Sequence, residues 1–210
     1  MDLPVLCLPA ATSPCRGCCD LREPVGPPPA DPVARAVHRW VLGHHGAFLA
    51  WRFLADALRR NDVRCAVLGY DTYSSMLEYS GSCTREVYEE AIRPLMTAAH
   101  PAFSGRWARD YEPIPALLRT ARAALGRERA APLTAASRRN LLAHQAVVRK
   151  LVPGGPSLLR GSGRDVHAPP TDHERDLFDE FFLVSRGPCC ERRYRAQVRR
   201  VFAAILVDVP

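Results

Sequence analysis

At 210 residues, with 47% hydrophobic and 24% charged residues, the chain fits one folded domain whose core is large enough to enclose a cofactor, and wholesale disorder is excluded. The net charge of +7 rests almost entirely on arginine; with no aromatic-interleaved basic patch it reads as a solvated surface, and no nucleic-acid partner is expected. No apolar run approaches the roughly 20 residues needed to cross a bilayer, and the opening MDLPVLCLPAA lacks the regions of a signal peptide, so a cytoplasmic protein is expected.

Residues 1–30 are rich in Cys, Pro and Gly and read as an irregular arm, leaving 31–210 as the folded domain. Asp31-Pro32, an N-cap followed by proline at the first helical position, opens a helix predicted to run to about Arg60. Its apolar arc, which includes Val41, Phe48, Trp51 and Leu58, is wide enough to make it central. A second helix is predicted over 66–78. A third is capped by Thr84, with Tyr88, Ala91, Ile92 and Leu95 inward, and Pro94 is expected to kink or end it. Ile114, Leu117, Leu118, Ala121 and Leu125 mark a fourth helix.

The fifth, over 136–152, carries Leu141, His144, Val148 and Leu151 on its expected inward stripe and stops at Pro153-Gly-Gly-Pro. After a Gly-rich loop, Leu177, Phe178, Phe181 and Phe182 mark a sixth helix. The last, 191–207, turns Val198, Val201, Phe202, Ile205 and Leu206 inward. No alternating strand is evident, so the expected fold is all-α, a helical bundle.

The eight cysteines suggest reduced thiols rather than a disulfide framework. Cys15, Cys18 and Cys19 could share a zinc ion with Cys189 and Cys190, but the vicinal pair is poor chelate geometry. Histidines are more informative. His144 sits on an apolar stripe, and His44 and His45 interrupt the first helix. Such residues are either satisfied core histidines or ligands of a heme held in an all-α core. No H-E-x-x-H, P-loop, G-x-G-x-x-G or G-x-S-x-G motif offers another chemistry.

The stretch NLLAHQAVVRKLVPGGPSLLRGSG, followed by HERDLFDEFFLVS, resembles the histidine-ligated heme-dependent aromatic oxygenases, the group of tryptophan 2,3-dioxygenase and the bacterial heme-dependent tyrosine hydroxylases. GHHGAFLAWRFL resembles that group's first heme-pocket helix, and Y-x-x-x-I-R-P-x-M with F-S-G-x-W resembles its tyrosine-hydroxylase branch. The resemblance implies a bundle enclosing heme b, with His144 as the iron ligand and Trp51, Arg149 and Ser157 beside the cofactor. It implies His45, or else His44, as the distal catalytic histidine.

Phe103, Ser104 and Gly105 would wall the substrate pocket, and Arg93, Arg106 or Arg109 would hold a substrate carboxylate. Asp110-Tyr111 stands where the branch shows Asp-His. The implied activity is ring hydroxylation of a tyrosine-like substrate by dioxygen or hydrogen peroxide, in natural-product biosynthesis, by a protein that could form a homo-oligomer. Indole oxidation is the alternative reaction. A non-catalytic heme-binding protein or an all-α interaction protein is the alternative class.

Overall fold

In the computed structural model, which describes residue 3, residues 5–12 and residues 25–209, the longest helix begins where Asp31-Pro32 predicts. In α1 (Pro32–Arg59) the Asp31 carboxylate accepts the Ala34 N–H at 2.7 Å, and Pro32 occupies a position whose missing N–H has no intrahelical partner to lose. Most of its residues from Val41 to Leu58 are buried, as a helix apolar around a wide arc requires.

The chain reverses at Asn61, which takes φ 54°, a left-handed value that asparagine tolerates. Asp62 then caps α2 (Val63–Ser80). The two helices approach closely because glycine faces the partner at the contacts. A Cβ on Gly43 would lie 2.1 Å from Ser80 Oγ, and one on Gly69 would lie 3.0 Å from Leu54 Cβ.

Thr84 caps α3 (Arg85–Val87), which continues through a π-turn at Tyr88–Ile92 into α4 (Arg93–Ala99). Pro94 therefore does not end the helix. It has no N–H to offer the preceding turn, and the chain widens ahead of it so that the Arg93 N–H reaches Tyr88 O. Met96 turns inward from α4 and Leu95 is exposed, contrary to the predicted stripe.

After a 3₁₀ turn at Gly105–Trp107 come α5 (Ile114–Arg129), α6 (Ala131–Leu151), α7 (Leu158–Gly161), α8 (Asp172–Phe181) and α9 (Glu191–Asp208). A capping box starts α8: Thr171 accepts from the Glu174 N–H, and the Glu174 carboxylate accepts from the Thr171 N–H. Among the described residues the fold is mostly helical, as an all-α expectation requires.

Three further expectations are corrected. Residues 6–12 are not irregular: β1 (Leu6–Thr12) pairs in parallel with β2 (Val184–Cys189), in a register that sets Leu6 beside Val184 and Thr12 beside Cys189. Leu6 and Leu8 are wholly buried on alternate positions, but Pro9 in one strand and Gly187-Pro188 in the other hide the pattern. Second, α6 begins five residues before its predicted start and turns a different face inward. Leu133, Ala136, Asn140 and Leu151 are buried, whereas Leu141, His144 and Val148 are exposed. Small side chains at 136 and 143 let α6 lie on α2, where Asn140 Nδ2 donates to Ser74 Oγ at 3.0 Å and Lys150 Nζ to Gly81 O at 2.8 Å. Third, Leu206 is exposed at the end of α9.

Two clusters of buried side chains form the interior of the described residues. One gathers α1, α8, β1 and α9 around Phe48, Phe178 and Phe182. The other gathers the second half of α1 with α2, α5 and α6 around Leu54, Tyr70, Ile114 and Leu133. No described helix is long and apolar enough to cross a membrane.

Candidate substrate cleft and the core histidines

His44 and His45 occupy adjacent positions on α1 and reach different surroundings. His45 is 1% exposed, and its Nε2 donates to Phe182 O at 2.6 Å. His44 is half-buried, donates from Nδ1 to Trp40 O at 2.6 Å and stacks on the Phe182 ring at 4.0 Å. Because a carbonyl only accepts, each hydrogen bond fixes the tautomer: the proton sits on Nε2 in His45 and on Nδ1 in His44. Burial pushes both imidazoles down to about 4, outweighing the carbonyl hydrogen bonds that favour the charged form. Both are neutral at pH 7. His38, on the same helix, is also lowered by burial.

His144 does not face them. It lies exposed on α6, which packs against α2, and desolvation by the surrounding helix surface still lowers its pKa. Trp51 is buried with its ring edge-on to Phe48 and Tyr73, at 5.4 and 5.1 Å. Phe103 is buried against Phe178 and Phe181, at 5.4 and 4.7 Å. Phe48 and Phe178 link Trp51 and Phe103 through a run of ring contacts. Ser104 caps the 3₁₀ turn, Gly105 and Arg106 are exposed, and Arg93 donates to Pro156 O at 3.3 Å. Arg149 is exposed, and Ser157 caps α7.

The described histidines do not fit a heme held between them. His45 Nε2 is committed to a backbone carbonyl inside a packed core, and His144 stands on another face of the bundle. No cluster of three or more His, Cys, Asp or Glu suited to a metal ion occurs among the described residues. Cys15, Cys18 and Cys19 lie outside the described residues, so the zinc arrangement falls there too.

What the fold does build is a cleft of about 760 Å³ between α1, α2, α9 and the turn at 109–113. Leu49, Arg52, Phe53, Asp56 and Arg59 supply one wall as a stripe along α1 at intervals of three to four residues. Leu68 and Thr72 from α2 and Tyr194, Val198 and Phe202 from α9 supply the others.

Beside it runs a part-buried charge network built on the buried carboxylates Asp110 and Asp179. Arg186 bridges Asp110 and Asp179, each at 2.7 Å. Arg52 joins Asp110 at 2.9 Å, and Arg109 joins Asp179 and Asp176 at 2.6 and 2.7 Å. Burial lowers the pKa of Arg186, yet the two carboxylates hold it above the ordinary guanidinium value. Of the residues predicted to meet substrate, Arg109 alone lines the cleft. Sequence reasoning missed Arg52, Asp56 and Arg59, whose only signal was the helical spacing of the α1 stripe, and Tyr194, which α9 brings to the cleft from the far end of the chain.

A family described as SfmD 3-methyl-L-tyrosine peroxygenase matches residues 6–145, more than half of the chain. The chain belongs to this family. A 3-methyl-L-tyrosine peroxygenase from Streptomyces lavendulae is 32% identical over 163 residues, an alignment covering 67% of this chain and 44% of that protein. The chain thus spans less than half the length of the curated relative. The match bears out the tyrosine-oxidising branch of the expected resemblance. The peroxygenase-family segment runs from β1 into α6, taking in the α1 and α2 walls of the cleft and ending just after His144, while the α9 wall lies beyond it.

Proposed function

We propose that this chain is a peroxygenase that hydroxylates the ring of a tyrosine-like amino acid, in natural-product biosynthesis. In balance, an aromatic C–H and hydrogen peroxide give a phenolic C–OH and water. The observation that carries this reading is the peroxygenase-family match over residues 6–145, with a relative named for 3-methyl-L-tyrosine. That name favours peroxide over dioxygen and a phenol over an indole. Heme b does not fit between the histidines as packed, so it enters this proposal only as the cofactor that the test supplies, with exposed His144 as the candidate ligand.

The test incubates purified chain with hemin, L-tyrosine and hydrogen peroxide. A catechol product is expected, together with a Soret shift that His144→Ala removes. A shift unchanged in His144→Ala would exclude that residue as ligand. A second reading, a non-catalytic binding module, is favoured by the commitment of His45 Nε2 to Phe182 O. Tyrosine binding without any catechol would select it.

A further inference from the structure

Three arginines line the cleft, and they differ in what they already hold. Arg52 donates to Asp110 Oδ1 at 2.9 Å and to Pro9 O at 3.1 Å, and its guanidinium lies over the Tyr194 ring at 5.9 Å. Arg109 is engaged by two carboxylates, Asp176 and Asp179. Arg59 has no ion pair or hydrogen bond to a described side chain. It stands one helical turn from Asp56, which pairs with Arg60 on one carboxylate oxygen, Oδ2. The same end of the cleft therefore offers one uncommitted guanidinium and one carboxylate with an oxygen to spare. The remaining wall is apolar and aromatic: Phe53 is 40% and Leu68 57% exposed, and Phe202 and Tyr194 are half-buried opposite them.

We propose that this cleft is the binding site for a free aromatic α-amino acid, with Arg59 taking the carboxylate, Asp56 the ammonium, and Phe53, Phe202 and Tyr194 the ring. The proposal rests on the tyrosine-like substrate named above and assigns where that substrate sits. Its volume falls within the range of about 300–1,000 Å³ usual for small-molecule sites. A guanidinium matches a carboxylate with two parallel N–H donors, and a carboxylate one helical turn away can accept from the ammonium. An apolar helix or a second copy of the chain would leave both charges at this end desolvated and unpaired, so a small zwitterion fits better than a docked segment. Arg52 and Arg109 are tied to the charge network rather than meeting the ligand.

The test is calorimetric titration of the full chain with L-tyrosine, tyramine, which lacks the carboxylate, and 3-(4-hydroxyphenyl)propionate, which lacks the ammonium. L-Tyrosine is expected to bind about tenfold or more tighter than tyramine, the scale of one charge-assisted hydrogen-bonded contact. Arg59→Ala should abolish that difference and Arg59→Lys restore part of it. Phe202→Ala should weaken all three ligands about tenfold. Arg59 is a surface residue, and circular dichroism checks that its variants fold.

Equal tyrosine affinity in wild type and Arg59→Ala, or no tyrosine binding at all, overturns the assignment. The catechol assay is scored separately. Catechol formed by a chain whose affinity ignores Arg59 sinks the cleft and leaves the peroxygenase reading standing. Arg59-dependent binding with no catechol does the reverse.

Discussion

His45 shows how a single side chain can be legible in type and not in role. Its position between Leu42 and Phe48 marks it as inward-facing, and it is buried. The sequence could not show that its Nε2 is already bonded to Phe182 O, 137 residues away. The consequence is a pH effect. In the folded chain His45 is held down to about 4, whereas an unfolded imidazole titrates near its ordinary 6.5. Between those values the unfolded state takes up a proton that the folded state refuses, so stability is full above pH 6.5 and is lost as pH falls toward 4. The loss from this residue is about 3 kcal/mol. In His45→Leu, urea denaturation at pH 7, 5.5 and 4 should show the acid-induced loss reduced by about that amount. An unchanged pH dependence would mean that His45 titrates normally in the fold.

At the scale of elements, helix starts were readable because caps are local chemistry. Asp31 and Thr84 each accept the N–H that their position predicts. Faces were readable only where a helix has one apolar stripe. In α6 two stripes overlap, one through Ala136, Asn140 and Leu151 and one through Leu141, His144 and Val148, and contact with α2 chose the first. The α1–α2 contact is set by glycine. Alanine is the better helix former by about 1 kcal/mol. Even so, Gly69→Ala should destabilise by about 1–3 kcal/mol, because its Cβ would meet Leu54 Cα at 3.2 Å as well as Leu54 Cβ. A thermal melt of Gly69→Ala above that of wild type would show that the helices can part without loss.

Across the whole molecule, Asp208 locks α9 to the opening of α1 and to α2. Its side chain is wholly buried and receives Arg39 at 2.7 Å, Arg35 at 2.6 Å and the Tyr79 hydroxyl at 2.8 Å. Burial pushes its pKa up, but the hydrogen bonds from Arg39, Tyr79 and Arg35 together overcome this and hold it at about 2. A carboxylate depressed in the folded state stabilises above its unfolded pKa and ceases to do so as pH falls through the folded one. Asp208→Asn should therefore be less stable by about 2 kcal/mol at pH 7. Its deficit should narrow between about pH 4 and pH 2 when unfolding is followed in urea. A deficit independent of pH would assign the loss to packing instead.

The sequence by itself determined the helical class, the helix starts at Asp31 and Thr84 and the inward placement of the His44–His45 pair, because periodicity and caps act over a few residues. Its short motifs also pointed to the tyrosine-oxidising family to which the chain belongs. Only the tertiary structure decided the β1–β2 pairing, the outward face of His144, and the cleft where Arg59 has no ion pair among the described residues. Each depends on contacts between segments far apart in the chain: a strand with Pro9 is revealed by its partner, and which arginine stands outside the ion pairs is known only once the other arginines' partners are.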